Sequence, residues 1–183
     1  AGVISVRTAA PSFDSEGKIE FGFGNYNQSL IRGYYTNGLS DTVAVSLSGS
    51  INKRDGYTES IVGLGDLNDR DRVNIRGQLL YEPTENVTIR VIADSSKIEE
   101  ACCTVSDVIN GPTTAAVRAL GGTVLDESNP FSYNSALSID PFNNVEDQGV
   151  SVQVDVDFDS FLLTSITASR NNNSDYYSDV DFT

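Results

Sequence analysis

Three groups of residues carry the chemistry this chain has to offer. Arg72, Arg76, Arg90, Asp94, Asp155 and Asp157 stand at alternating positions of extended segments, so that they fall on polar strand faces. Such groups can grip a second surface through charge-assisted hydrogen bonds; the same spacing also describes an ordinary solvated face of a half-buried sheet. Asp66, Asn68, Asp69 and Asp71 put four oxygen-bearing side chains within six positions, the ligand type that hard cations take. The stretch lacks the glycine and the distal glutamate of an EF-hand loop, and it reads as a solvated loop without a metal. Cys102 and Cys103 are adjacent. A bond between them must span α-carbons about 3.8 Å apart, below the usual range of about 4.4 to 6.8 Å, and would stiffen a kink in the chain. An oxidising compartment favours that bond; a reduced pair of small apolar residues is the alternative.

What is missing narrows the function further. There is no histidine, so Ser/His/Asp and Cys/His nucleophilic arrangements and His-containing zinc sites lack an essential member. No pair of carboxylates is singled out by spacing for acid–base work, and the expectation is a protein that is not an enzyme and needs no cofactor. With 12 Lys and Arg against 26 Asp and Glu, the formal charge of −14 repels a phosphate backbone, which argues against nucleic acid as a partner.

The elements that must hold these residues are strands. Val43, Val45, Leu47, Gly49 and Ile51 share one face and Ala44, Ser46, Ser48 and Ser50 the other. Val73, Ile75, Gly77, Leu79 and Tyr81 oppose Arg72, Asn74, Arg76 and Gln78; Val87, Ile89, Val91 and Ala93 oppose Thr88, Arg90 and Asp94. Val150 to Phe158 repeats the pattern against Ser151, Gln153, Asp155 and Asp157. Adding a hairpin at Lys18–Gly24 and Ser29–Thr36, and a return strand at Phe161–Arg170, the period-2 reading gives about seven strands. Ala1–Thr8 reads as a further short apolar strand that stops before Pro11. Asn37-Gly38 and Ser40-Asp41 mark a turn, Pro112–Leu120 a short helix stopped by Gly121-Gly122.

The connections are unequal. Glu82–Asn86 and Asp159-Ser160 are short, whereas 53–71 and 97–147 are long. Only 39% of residues are hydrophobic, on alternate positions, so no segment approaches the ~18 apolar residues of a membrane helix. Strands of a membrane barrel need only about 9 to 11 alternating residues, joined by short turns on one side and long loops on the other. Tyr26, Tyr34, Tyr35, Tyr57, Tyr81, Phe158 and Phe161 lie near strand ends, as an interfacial aromatic girdle requires, although aromatics favour strands in any case. Phe131, Tyr133 and Phe142, set among Ser, Asn and Asp in the second long loop, form a candidate ligand-facing surface; a surface loop without ligand contact is the alternative.

Four stretches together resemble TonB-dependent outer-membrane receptors. Ala1-Gly-Val-Ile-Ser-Val-Arg-Thr8 is similar to the strand that ends the plug domain of that family, and Phe23-Gly-Asn-Tyr-Asn27 to the first barrel hairpin. Asn52-Lys-Arg-Asp-Gly-Tyr57 with Asp66-Leu-Asn-Asp-Arg-Asp71 resembles the first long external loop, and Arg76-Gly-Gln-Leu-Leu-Tyr-Glu-Pro83 the next descending strand and periplasmic turn. Cys102-Cys103 is similar to one branch of the family. The resemblance implies an all-β fold, an antiparallel transmembrane barrel segment, with 1–12 the end of a plug and 13–183 the N-terminal part of the barrel. It implies a bacterial outer-membrane location and, as partners, lipid, the remainder of barrel and plug, a TonB-type energy-coupling protein reached through a preceding region, and a small nutrient such as a siderophore, vitamin or oligosaccharide. The polar strand faces would then line the lumen. The body of the plug and most of the family's strands are not in this sequence, so the chain reads as an internal piece. The competing expectation is a soluble extracellular β-sandwich, a binding module or adhesin, whose apolar faces bury one another.

Overall fold

The computed structural model describes residues 2–4, 7–105 and 107–179. Its strands are β1 (Glu16–Gly24), β2 (Gln28–Ser40), β3 (Val43–Arg54), β4 (Thr58–Ser60), β5 (Asp66–Leu67), β6 (Arg70–Thr84), β7 (Val87–Glu100), β8 (Asn134–Ser135), β9 (Phe142–Phe158) and β10 (Phe161–Tyr177); the helix α1 (Thr114–Ala119) lies between β7 and β8. Seven strands form one antiparallel sheet in the order β1-β2-β3-β6-β7-β9-β10, so every long strand pairs with the long strand before it. The sheet is open, with β1 and β10 as its edges. The small strands make a second sheet, β5-β4-β8, in which β4 and β8 run parallel.

Register carries the alternation across the sheet. Ile31 pairs with Ile51, Ile51 with Val73, Leu79 with Val91, and Val91 with Val152, all on one face. On the other, Ser48 pairs with Arg76, Arg76 with Asp94, and Asp94 with Gly149. The apolar face is bare: Leu47 is 54% exposed and Ile75 52%, in the middle of the sheet. Among the described residues the buried hydrophobic side chains are Ala44, Leu67, Leu80, Ala136 and Leu137. Ala44 and Leu80 lie on the polar face, and the other three belong to the long connections, so the core is everywhere except on the apolar face. The molecule accordingly exposes 12076 Å², against about 8,600 Å² for a compact monomer of its mass. The extensive contacts between the long strands run from neighbour to neighbour within the sheet, and no second layer of strands or helix covers the apolar side among the described residues.

The two ends of the sheet differ. One has tight turns at Asp41-Thr42, Glu85-Asn86 and Asp159-Ser160; the other has the connections 25–27, 55–69 and 101–141. Tyr26 and Asn27 sit at φ 59° and 52°, the left-handed pair that a type I′ hairpin turn demands. The long connections are shorter than the expected 53–71 and 97–147, because β3, β6, β7 and β9 carry their pairing beyond the last apolar residue, down to Arg54↔Arg70 and Glu100↔Asn143.

Three expectations are corrected. Gly2–Ile4, Arg7 and Thr8 form no strand, and Ala1, Ser5 and Val6 lie outside the described residues. Asn37-Gly38 is not a turn: both continue β2, opposite Val45 and Ala44, with a bulge before Ser40. Glycine is needed there for another reason, since a Cβ on Gly38 would stand 2.7 Å from the Phe13 carbonyl oxygen, to which the Gly38 amide donates. Among the strand-end aromatics, Tyr34 pairs with Lys18 and Ser48 on the polar face, and Tyr57 belongs to the connection between β3 and β4. Phe158 and Phe161 do stack at the tight-turn end, 4.9 Å apart.

Candidate functional site

Two constructions stand out: a cradle on the polar face, and a cap built on the long-connection end.

The cradle holds residues 8–13, which cross the polar face from β7 to β2. Arg90, on β7, donates from Nη2 to the carbonyl oxygens of Thr8 and Ala9 and to Thr8 Oγ1, each at 3.0 Å. Gln78, on β6, steadies the guanidinium by accepting from its Nε at 3.1 Å, and donates to the Ala9 carbonyl at 3.2 Å. On β2, Thr36 Oγ1 accepts the Ser12 amide at 2.8 Å, and its hydroxyl faces the carbonyl oxygens of Ser12 and Val45. Thr36, Ser46, Gln78 and Pro11 are buried as a result. A segment without regular structure has no ladder partners for its own amides and carbonyls, and these polar side chains supply them.

Farther along the same face a charge cluster spans four strands. Asp94 accepts two bonds from Arg170 Nη2, at 2.8 and 3.0 Å, and lies 3.6 Å from Arg76. Arg170 Nη1 also bonds Asp147, whose other oxygen accepts from Asn172 at 3.1 Å. Gly149 makes room, because a Cβ there would come within 3.0 Å of the Arg170 guanidinium. Arg72 makes a forked pair with Glu100, at 2.5 and 2.9 Å, and the Glu100 side chain is 4% exposed. Asp155 accepts from Gln153 and Thr164, both at 2.6 Å. Asp157 is exposed, and its backbone amide donates to the Asn86 carbonyl at the tight-turn end. The six sequence-derived residues therefore occupy one face but not one site: Arg90 binds the N-terminal segment, Arg76 and Asp94 join the charge cluster, and Arg72, Asp155 and Asp157 stand apart. Sequence reasoning passed over Thr36, Gln78, Asp147 and Arg170. The signal for Arg170 was weak because β10 breaks the pattern, carrying Leu162, Ile166 and Ala168 on the polar face opposite Asp157, Gln153 and Ser151.

The cap ties the three long-end connections together. The Asp55 amide donates to the Tyr26 carbonyl, the Glu59 amide to the Tyr133 carbonyl and the Ile61 amide to the Ser135 carbonyl. Leu67, Ser135 and Leu137 are almost completely buried beneath it. Asn68, at φ 60°, is its hinge: its amide donates to the Ala101 carbonyl at 2.7 Å, its Nδ2 to Thr58, and its Oδ1 accepts the Cys103 amide. Cys102 and Cys103 are joined by a vicinal disulfide, so the chain that meets Asn68 is a closed kink. Asp69 accepts the Ala101 amide at 2.6 Å and Asp71 pairs with Lys53 at 2.8 Å. Asn68 Oδ1, Asp69 Oδ1 and Asp71 Oδ2 thus go to three different protein partners, and no three His, Cys, Asp or Glu side chains among the described residues converge as a metal centre. Burial raises the Asp69 carboxyl above its usual 3.8, the Ala101 amide opposing and Glu100 reinforcing the shift.

Inside the cap lies a cleft of about 400 Å³. Tyr57, Phe131 and Tyr133 form its aromatic walls, Val105, Val108 and Pro130 add aliphatic surface, and Thr58, Asn68 and Thr104 supply hydroxyls and an amide. Tyr57 and Tyr133 meet edge to face, 5.9 Å apart at 82°, and Tyr26 packs on Tyr57 at 6.0 Å. Arg54 stacks 4.8 Å over the Tyr57 ring. Tyr133 adopts φ 56°, a conformation that costs a bulky residue on the order of 1 kcal/mol and is held by its hydrogen bond to Glu59 and its contact with Tyr57. Of the aromatic residues singled out in the second long loop, Phe131 and Tyr133 line this cleft. Phe142 does not: it opens β9 and packs against Tyr177, 5.9 Å away.

No helix among the described residues is long and apolar enough to cross a membrane, a finding that does not bear on strands. No family model matches the chain.

Proposed function

We propose that the chain is a wall segment of a TonB-dependent receptor of the bacterial outer membrane, with residues 1–12 the end of the plug and residues 13–183 the first part of the barrel. One observation carries the reading. An apolar face that runs across six strands, β1, β2, β3, β6, β7 and β9, is left bare, while the opposite, polar face is occupied by residues 8–13 through Arg90, Gln78 and Thr36.

A sheet in water buries its apolar face; a barrel wall in lipid turns it outward and keeps its polar face for the interior. The apolar run Val73 to Tyr81 covers about 27 Å of strand, or about 20 Å of height at a tilt near 40°, close to the ~25 Å band of outer-membrane barrels. Tight turns at one end and an ordered cap at the other match the two sides of such a wall. Lipid does not tolerate unpaired strand edges, so β1 and β10 are to be paired by further strands. In this reading Arg90 and the Arg76–Asp94–Arg170 cluster face the lumen, where Arg90 holds the end of the plug and the cluster is within reach of its movement. Import is driven by a periplasmic TonB-type partner, and the cap meets a scarce nutrient from outside.

Phase partitioning tests the proposal. The full-length parent protein should fractionate with the outer membrane and enter the detergent phase. Recovery in the aqueous phase without detergent would sink the receptor reading and favour a soluble β-sandwich binding module, with a partner layer on the apolar face.

A further inference from the structure

The cap also contains the means to select a ligand by charge and shape. We propose that the cleft between Tyr57, Phe131 and Tyr133 binds a neutral carbohydrate, an oligosaccharide of two or three rings at most. The inference rests on the reading of the cap as the outward end of an outer-membrane receptor, and it adds the substrate class.

Charge sets the first limit. Among the described residues no carboxylate, ammonium or guanidinium lines the cleft. The nearby guanidinium of Arg54 is not part of the lining: it stacks on Tyr57 and donates from Nη2 to the Asn68 carbonyl at 2.5 Å, while its Nε is buried without a partner among the described residues. An anionic ligand would enter without a counter-charge, in a protein of formal charge −14, and a desolvated charge without a partner is strongly disfavoured. A second cavity in the cap makes the contrast: it is lined by Lys53, Arg54, Arg70, Asp55, Asp69 and Asp71, whose opposite charges lie side by side.

Polarity sets the second limit. The phenols of Tyr57 and Tyr133 both donate and accept, and beyond their bonds to Asn68 and Ser135 the hydroxyl of Thr58 keeps its donor and that of Thr104 its acceptor. A wholly apolar ligand would cover them without offering partners, which loses more than the apolar contact gains at those points. What remains is a neutral molecule with many hydroxyl groups and flat apolar patches. Sugar rings have that constitution: their C–H faces lie on aromatic rings while their edges present hydroxyls. The perpendicular Tyr57 and Tyr133 rings offer walls in two directions, and Phe131, 81% exposed, stands free to close on a ring. A volume of about 400 Å³ is at the small end of the range for ligand sites, about 300 to 1,000 Å³, and limits the length of the oligomer held.

The test is saturation-transfer NMR and calorimetry on the full-length protein in detergent micelles. The neutral probes are maltotriose, cellotriose, xylotriose and mannotriose; the anionic probes are trigalacturonate and ferric citrate. At least one neutral trisaccharide should bind, and Phe131→Ala should weaken it by about tenfold or more, as expected for an aromatic anchor. Phe142→Ala, off the cleft, should leave it unchanged, and neither anion should bind. Phe131 is exposed, so its truncation leaves the fold intact. The inference is overturned if none of the four sugars binds, if an anion binds and is lost with Phe131→Ala, or if sugar binding ignores Phe131→Ala. A protein that partitions into water yet binds sugar through Phe131 would refute the receptor reading alone. One that partitions into detergent but binds no sugar would refute only the present inference.

Discussion

Replacing Arg90 by methionine should release the N-terminal segment from the sheet. Methionine keeps the apolar stem and removes every donor. Three bonds reach Thr8 and Ala9 from a single nitrogen, Nη2, at 3.0 Å each. That nitrogen has two hydrogens and also bonds Gln78 Oε1, so the geometry amounts to about one to two full bonds to the segment, each worth about 1.5–3 kcal/mol for a charged donor. Water reaches this half-buried site and recovers part of the loss, which leaves about 1–3 kcal/mol for detachment of residues 8–10. The detached population should rise by about 5- to 150-fold. Ala10 is exposed and has no side-chain partner to lose, so a spin label on Ala10→Cys reports the segment directly. The parent should give an immobilised spectrum in lipid or detergent, and Arg90→Met a clear mobile component. Thr36→Val, which removes the acceptor for the Ser12 amide, should mobilise the label less, because Arg90 and Gln78 still hold its N-terminal side. An unchanged spectrum in Arg90→Met would refute the assignment of Arg90 as the anchor.

Other expectations follow from the two faces and the cap. Ile75→Arg, on the apolar face, should lower stability in lipid by about 2–4 kcal/mol, whereas Ser151→Arg, on the polar face of β9, should cost well under half of that; equal losses in urea-gradient unfolding would contradict the sidedness. Alkylation without reductant should add no label at Cys102 or Cys103, and after reduction should add two, read by mass spectrometry. Burial holds the Asp69 carboxyl above its usual 3.8 in the folded cap, so folding favours the protonated form. Its contribution is therefore fully present below about 3.8 and is lost as the pH climbs through the raised value. Hydrogen exchange at the Ala101 amide should show the cap loosening over that window, and Asp69→Asn should flatten the dependence while keeping the acceptor.

The long strands were legible because each carries a period-2 pattern over enough residues to declare a face. Val43 to Ile51 and Arg72 to Tyr81 pair as their alternation demands, and register then propagates it through the sheet. Strand ends were less legible. Beyond Val73 the outward positions turn polar, as in Lys53↔Asp71 and Lys97↔Glu146, so the pairing continues where the hydrophobic signal stops. The Gly121-Gly122 stop of α1 was readable, and Gly121 takes φ 91°. The β5-β4-β8 sheet was not: its strands are two or three residues long, too short for any period, and β4 and β8 are paired across more than seventy positions of sequence. The cradle was half readable. Arg90 stood out by charge, but Thr36 and Gln78 act through hydrogen bonds to backbone atoms of a segment whose path no pattern encodes.

The central claim is that the valine-rich side of the sheet meets lipid and the other side an aqueous interior. Its most direct test is the accessibility of spin labels placed one at a time at residues 73 to 79 in the full-length protein reconstituted in bilayers. The account predicts a period of two, with labels at 73, 75, 77 and 79 open to oxygen and shielded from a water-soluble nickel chelate, and labels at 74, 76 and 78 the reverse. Odd positions shielded from both reagents, as beneath a second protein layer, would contradict it.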